Sequence, residues 1–315
     1  MPIRIMNDIP VREKLENENI FVMDEERAIH QDIRPIEIAI LNLMPLKEDT
    51  ELQILRSLSN TPLQINVTFL MVASHNSKNT SKSHLDSFYK VFDEVRDLRF
   101  DGLIVTGAPV EKIDFEMVDY WKELTEIFDW ADKNVTSSFF ICWGAQAAMY
   151  YYFGLPKVML EKKLVGLFEH RVYNRRVPLV RGFDDIFYAP HSRYTEITAE
   201  EIRNCEDITI LAESKEAGIY LSMAQNGKKI FVMGHPEYDR LTLYNEYVRD
   251  MGKGLDPDIP ENYFKDNDPK NEPLLLWRSN ANNLYTNWLN YYVYQTTPYA
   301  LYGTPGGEEV PRKED

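Results

Sequence analysis

The sequence predicts an α/β fold built on a mainly parallel sheet flanked by helices, with decorations at both ends of the chain. Three observations predict it. Short apolar runs recur without polar alternation, the pattern of strands covered on both faces. Segments of helical periodicity lie between those runs, so strand and helix alternate. The composition is globular: 315 residues, 44% hydrophobic and 27% charged, enough chain to bury a large core without staples.

Residues 36–43 form the first apolar, β-branched run, and Pro45 ends it. Leu52, Leu55 and Leu58 recur at helical spacing and predict a helix over 49–58. Residues 65–72 read as a second strand, and the stretch 74–87, rich in Ser, Asn, Lys and His, as a loop. A third strand over 100–106 is closed by Gly107-Ala108-Pro109, and 115–133 is an amphipathic helix. A fourth strand, 136–141, runs into a buried helix over 143–153. Beyond 157 the pattern shifts to shorter strands at 177–180, 187–189 and 208–212. Asn226-Gly227, between the apolar runs 219–224 and 229–233, signals a hairpin. Asp239 is placed to cap a helix reaching Gly252 or Gly254. Residues 255–273 read as a long loop and 274–294 as a long helix. No internal repeat or linker stands out, so 1–303 reads as one α/β domain and 304–315 as a flexible tail.

Charge narrows the partners. Fifty acidic against 35 basic residues give a formal charge of −15, which repels phosphate backbones and argues against nucleic acid. Two cysteines, Cys142 and Cys205, are too few for a disulfide scaffold or a Cys-rich zinc site, so no metal is expected. The N-terminus lacks the apolar core of a signal peptide. Residues 134–156 carry no charge and are long enough to span a bilayer. They also contain Gln146, Gly144, Gly154 and the polar start Thr136-Ser137-Ser138, so a buried strand and helix is preferred. A cytoplasmic chain with reduced thiols and no membrane partner is expected.

Cys142 lies where the strand 136–141 meets the helix 143–153. In a parallel sheet that point faces ligands, and a nucleophile there sits on a tight, strained turn. Gly144 is small enough to let the turn close. The helix N-terminus favours a thiolate, and the Trp143 N–H is an oxyanion donor. Equally, a free cysteine is often a buried structural residue. Gly234-His235-Pro236-Glu237 follows the later strand 229–233. A thiol nucleophile needs a base, and His235 is the usual type. Glu237 can fold back across the Pro-fixed turn to orient it. Alone, either motif has a bland reading; together they spell a Cys142–His235–Glu237 triad.

The block FICWGAQ with HPE resembles the class I glutamine amidotransferase fold. That family carries Gly two residues before its cysteine, where this chain has Phe140, and no synthetase domain accompanies it, which disfavours glutaminase chemistry. A fuller resemblance is to the homoserine O-acyltransferases of methionine biosynthesis. It rests on MPIRIMNDIP (1–10), IAILNLMPLK (38–47), DGLIVTGAPVE (101–111), FICWGAQAA (140–148), YAPHSRYT (188–195) and MGHPEYD (233–239). The resemblance implies L-homoserine and an acyl-CoA as substrates, with the CoA ester a cosubstrate and no further cofactor. It implies substrate-binding roles for Lys163, Ser192 and Arg249, the last at the homoserine carboxylate, which a guanidinium fork suits. Glu246, one turn before Arg249, is a candidate for the substrate ammonium. His170 and His191 are assigned to structure.

Glu111 bears on the donor. A carboxylate beside the acyl pocket repels the free carboxylate of succinyl-CoA and leaves acetyl-CoA untouched; in the family that this chain resembles, Glu here accompanies acetyl preference and Gly succinyl preference. The expectation is therefore a homoserine O-acetyltransferase working through an acyl-Cys142 thioester. The alternatives are a succinyltransferase, a cysteine hydrolase or amidotransferase on the same fold, and a non-catalytic binding module. Cys205, flanked by Glu206 and Asp207, is expected to react slowly. The aromatic C-terminal region (Trp277, Tyr285, Trp288, Tyr291, Tyr292 and Tyr294) either packs on the core or forms a homodimer face.

Overall fold

The computed structural model describes residues 3–6, 8–17, 22–23, 34–75 and 79–297; the predicted tail 304–315 lies outside them. Cα packing groups the described residues into two compact units. One draws on the described residues up to 106 together with 115–139 and 288–297, the other on 107–114 and 140–287. Each is described by itself.

The first unit holds β1 (Ile3–Arg4), α1 (Val11–Asn17), β2 (Val22–Met23), β3 (Ile36–Leu41), α2 (Lys47–Leu58), β4 (Ile65–Met71), α3 (Lys82–Phe88), β5 (Tyr89–Val91), β6 (Phe100–Val105), α4 (Trp121–Asn134) and most of β7 (Val135–Ile141). β1 pairs β2 and β4, β3 pairs β4 and β6, and β5 pairs β4, all parallel. Every residue of β3 and β6 is buried, which explains their unalternating sequences. Buried Asp101 is tolerated in β6 because Arg34 donates to both its oxygens at 3.0 Å. Two expectations change here. The loop predicted over 74–87 contains α3, started by Ser81, whose hydroxyl accepts from the His84 N–H at 3.2 Å. The helix predicted over 115–133 begins as a short 3₁₀ turn, Phe115–Met117, before α4.

The second unit contains α5 (Trp143–Phe153), β8 (Val158–Val172), β9 (Ile186–Glu196), α6 (Ala199–Asn204), β10 (Ile208–Ser214), β11 (Gly218–Ala224), β12 (Lys229–Val232), α7 (Thr242–Gly252) and α8 (Arg278–Asn287). Its strands run in the order β12-β11-β10-β8-β9, each pairing antiparallel. The parallel pairing thus belongs to the first unit, and the second is built from hairpins. The predicted Asn-Gly hairpin joins β11 to β12, with Gln225 and Asn226 at positive φ. The strand expected at 177–180 is instead a 3₁₀ turn, Pro178–Val180, because Pro178 fixes φ and lacks the N–H a ladder needs. Asp239 lies at the start of α7 as expected: its carbonyl accepts the Thr242 N–H at 3.1 Å and its own N–H donates to Thr242 Oγ1 at 3.0 Å, while its carboxylate pairs with Arg278 at 3.3 Å. The expected helix over 274–294 is α8 followed by a π-helical stretch, Trp288–Tyr294, of the first unit. Trp277 and Tyr285 are buried in the second unit and Trp288 and Tyr292 in the first, while Tyr294 is exposed.

Strand β8 carries the segment 255–267 across its surface. Glu261 N–H donates to Val165 O at 3.0 Å and Leu167 N–H to Glu261 O at 2.7 Å. The approach needs Gly166: its φ is +143°, and a Cβ there would lie 2.4 Å from Glu261 backbone atoms. Gly166→Ala is therefore expected to cost about 3 kcal/mol, combining a strained φ with a backbone clash. Urea denaturation checks this, and an unchanged midpoint would show that the segment can move aside.

Among the described residues, no helix is long and apolar enough to cross a membrane. No group of three or more His, Cys, Asp or Glu among them is placed to hold a metal ion.

Candidate active site

The site lies within the second unit. Cys142 joins the end of β7 to the first turn of α5, and its backbone is held at φ 49°, ψ −115°. A non-glycine residue there costs on the order of 1–3 kcal/mol. The surroundings hold it: Cys142 N–H donates to Val232 O at 2.7 Å, and Cys142 O accepts from the N–H groups of Ala145 and Gln146 at 3.0 and 3.1 Å. Gln146 and Thr195 exchange two hydrogen bonds, of 3.1 and 2.8 Å, tying α5 to β9. The strained turn predicted for a nucleophile is therefore present. Trp143 is the first residue of α5 and directly follows Cys142.

Gly234 lets His235 approach the same point. A Cβ at 234 would lie 2.7 Å from Pro190 O, and the next N–H, of His235, donates to that oxygen at 2.9 Å. The imidazole is buried, and Cys142 acts on it electrostatically. On its other side, Nδ1 donates to Glu237 Oε1 at 2.7 Å. Burial alone lowers the imidazole pKa, but Cys142 and Glu237 outweigh it and hold the ring well above the ordinary histidine range. Glu237 Oε2 is buried and meets no donor among the described residues, which leaves His235 as the group balancing that carboxylate. The structure thus places His235 between Glu237, to which it is hydrogen-bonded, and Cys142, whose charge acts on the ring.

A second cluster surrounds Glu246. Antiparallel pairing sets Val165 opposite Ser192 and Leu164 opposite Arg193, which brings Lys163 of β8 beside Ser192 of β9. Both point to one carboxylate on α7: Lys163 Nζ donates to Glu246 Oε2 at 3.1 Å and Ser192 Oγ to the same oxygen at 2.5 Å. Tyr238 OH donates to Oε1 at 3.0 Å. Burial would raise the Glu246 pKa, but Lys163 and Ser192 overcome it and keep the group below the usual carboxylate range. Neither Lys163 nor Ser192 is the solvated run member or turn serine that a bland reading allows.

Arg249 stands one step away. Its guanidinium, half exposed, binds Asp250 Oδ1 at 2.8 Å, and Asp250 Oδ2 lies 3.6 Å from Lys163 Nζ. Asp250 therefore bridges the two cations. Glu111 is fixed rather than solvated: Oε2 accepts the Tyr194 N–H at 2.8 Å, two residues from Ser192, and burial raises its pKa. Lys163 and His235 both act on that carboxylate electrostatically. Asp250 and Tyr238 were missed in the sequence; Asp250 lies at i+4 from Glu246, a spacing that puts both on one helix face.

His170 and His191 form a buried pair with ring centroids 5.0 Å apart. Burial holds the His170 pKa down to about 3 and that of His191 well below the ordinary value. His191 Nδ1 faces buried Arg193 Nη1 at 2.8 Å. As expected, these histidines are part of the packing.

A family model described as homoserine O-succinyltransferase matches residues 2–299. A homoserine O-acetyltransferase of Lachnospira eligens is 62% identical over 96% of this chain and 97% of its own length. One from Clostridium acetobutylicum is 56% identical over 96% of this chain and 100% of the relative. Among solved structures, a glutamine amidotransferase from Thermotoga maritima superimposes with a TM-score of 0.52 at 12% identity, covering 83% of this chain and 100% of that one, a likeness of fold.

Proposed function

Since the chain belongs to the homoserine O-succinyltransferase family, we propose that it is a homoserine O-acetyltransferase of methionine biosynthesis, a cytoplasmic enzyme that acts through an acetyl-Cys142 thioester. The observation that carries the chemistry is Cys142 on a strained strand-to-helix turn, acting electrostatically on a buried His235 that is hydrogen-bonded to Glu237.

Cys142 loses its proton to His235, and the imidazolium is stabilised by Glu237. The thiolate attacks the acetyl-CoA carbonyl. The tetrahedral oxyanion is met by the Trp143 N–H and the loop Gly107–Pro109. Collapse expels the CoA sulfur, which takes the proton from His235, and leaves acetyl on Cys142. L-homoserine then enters; its γ-hydroxyl gives its proton to His235 and attacks the thioester, releasing O-acetyl-L-homoserine and returning the proton to Cys142. Lys163, Ser192 and Glu246 hold the amino acid, Glu246 accepting its ammonium. Its carboxylate meets Lys163 and Arg249, the latter after release from Asp250.

Glu111 favours acetyl over succinyl. Its carboxylate is anchored on Tyr194 within the electrostatic reach of His235, so a succinyl carboxylate would face a like charge in a partly desolvated space. Steady-state formation of O-acetylhomoserine from acetyl-CoA and homoserine, against succinyl-CoA as donor, tests this reading; preference for succinyl-CoA would overturn the donor and keep the family. Glu111→Gly is expected to raise the succinyl-to-acetyl ratio of kcat/KM by about 10²-fold, the size of a like-charge penalty of a few kcal/mol. No gain would show that Glu111 does not set the donor.

A further inference from the structure

We propose that Tyr238 is a positioning residue that fixes the spacing between the base His235 and the amino-acid cluster at Glu246. The inference rests on the acyltransferase reading of the site. Tyr238 is the residue after Glu237 and is 3% exposed. Its ring lies over the His235 imidazole with centroids 4.0 Å apart and planes inclined by 16°. Its hydroxyl donates to Glu246 Oε1 at 3.0 Å, while Ser192 and Lys163 occupy Oε2. One rigid side chain therefore touches both halves of the site.

The residue is itself held. Its N–H donates to His235 O at 3.3 Å. Its carbonyl accepts from Trp277 Nε1 at 3.0 Å. Its side chain packs in an apolar cluster with Val165, Leu167, Leu243 and Trp277. Two tasks follow from two parts of the side chain. The ring face, with its partial negative charge, supports the imidazolium that forms when His235 takes a proton, and it limits the tilt of the ring. The hydroxyl keeps Glu246 turned toward Ser192 and Lys163, where the homoserine ammonium is to be received.

The two parts separate experimentally. Tyr238→Phe keeps the ring and removes the hydroxyl; Tyr238→Met removes both at similar bulk. In the full chain, two quantities are measured: the rate of Cys142 acylation by acetyl-CoA without homoserine, across pH, and the KM for homoserine. For Tyr238→Phe, acylation is expected within about twofold of wild type and the KM about tenfold higher, the loss of one hydrogen bond to a charged group. For Tyr238→Met, acylation itself is expected to fall about tenfold. The upper limb of its pH profile should also move to lower pH, because the imidazolium has lost the ring. A uniform loss in both variants with an unmoved pH profile would reduce Tyr238 to packing and overturn the proposal. Should the Met variant not fold, the Phe variant decides through the KM, and an unchanged KM overturns it. A wild-type chain that forms no acyl adduct would overturn the transferase reading itself.

Discussion

Cys142→Ala is expected to lower the transfer of acetyl to homoserine by about 10⁴-fold or more, some 5 kcal/mol of barrier. The substitution removes the atom that carries the acyl group, so no covalent intermediate can form. Binding is expected to survive, because Lys163, Ser192 and Glu246 hold one another independently of the thiol. The fold should also survive, since alanine replaces a small buried side chain at a turn whose backbone bonds to Val232, Ala145 and Gln146 remain. A second readout follows from electrostatics. The His235 pKa stands well above the ordinary value because Cys142 and Glu237 outweigh burial. With Cys142 gone, burial meets only Glu237, so an NMR titration of this imidazole should show its pKa fall. A variant that kept more than a hundredth of the activity would point to direct attack by homoserine on acetyl-CoA.

His235→Asn is expected to cost about 10³-fold in Cys142 acylation, within the range of positioned acid–base groups. Asparagine preserves shape and can hydrogen-bond to Glu237, but it cannot take the thiol proton. The loss should shrink as pH rises, because the thiol then ionises without help. Single-turnover rates from pH 6 to about 10, the upper bound lying above the ordinary cysteine pKa, check both statements. A pH-independent loss would assign His235 to structure, as with His170 and His191.

Much of this site was legible because its residues sit at boundaries that sequence marks clearly. The buried helix Trp143–Phe153 has the limits that its uncharged run indicates, which placed Cys142 on the preceding turn. The Asn-Gly signal placed β12, and so His235 just beyond it. What remained hidden depended on long-range pairing. Strand β8 opens on residues 158–162, none of them buried, and its charged stretch 161–163, which lacks the apolar pattern of a strand, lies where the register with β9 shifts between Met159 and Leu164. Lys163 and Ser192 become neighbours only through that register. The reach of Tyr238 to Glu246 and the Asp250 bridge between Lys163 and Arg249 depend on how α7 packs against its neighbours, which no local spacing encodes. The resemblance named Arg249 but not its resting partner.

The most direct test of the central claim is the intact mass of the protein after mixing with acetyl-CoA, homoserine withheld. The account predicts a single acetyl adduct, localised to Cys142 by peptide mapping, that disappears when homoserine is added. An unmodified wild-type chain that nonetheless makes O-acetylhomoserine when both substrates are present, with no adduct captured even on millisecond quenching, would contradict it.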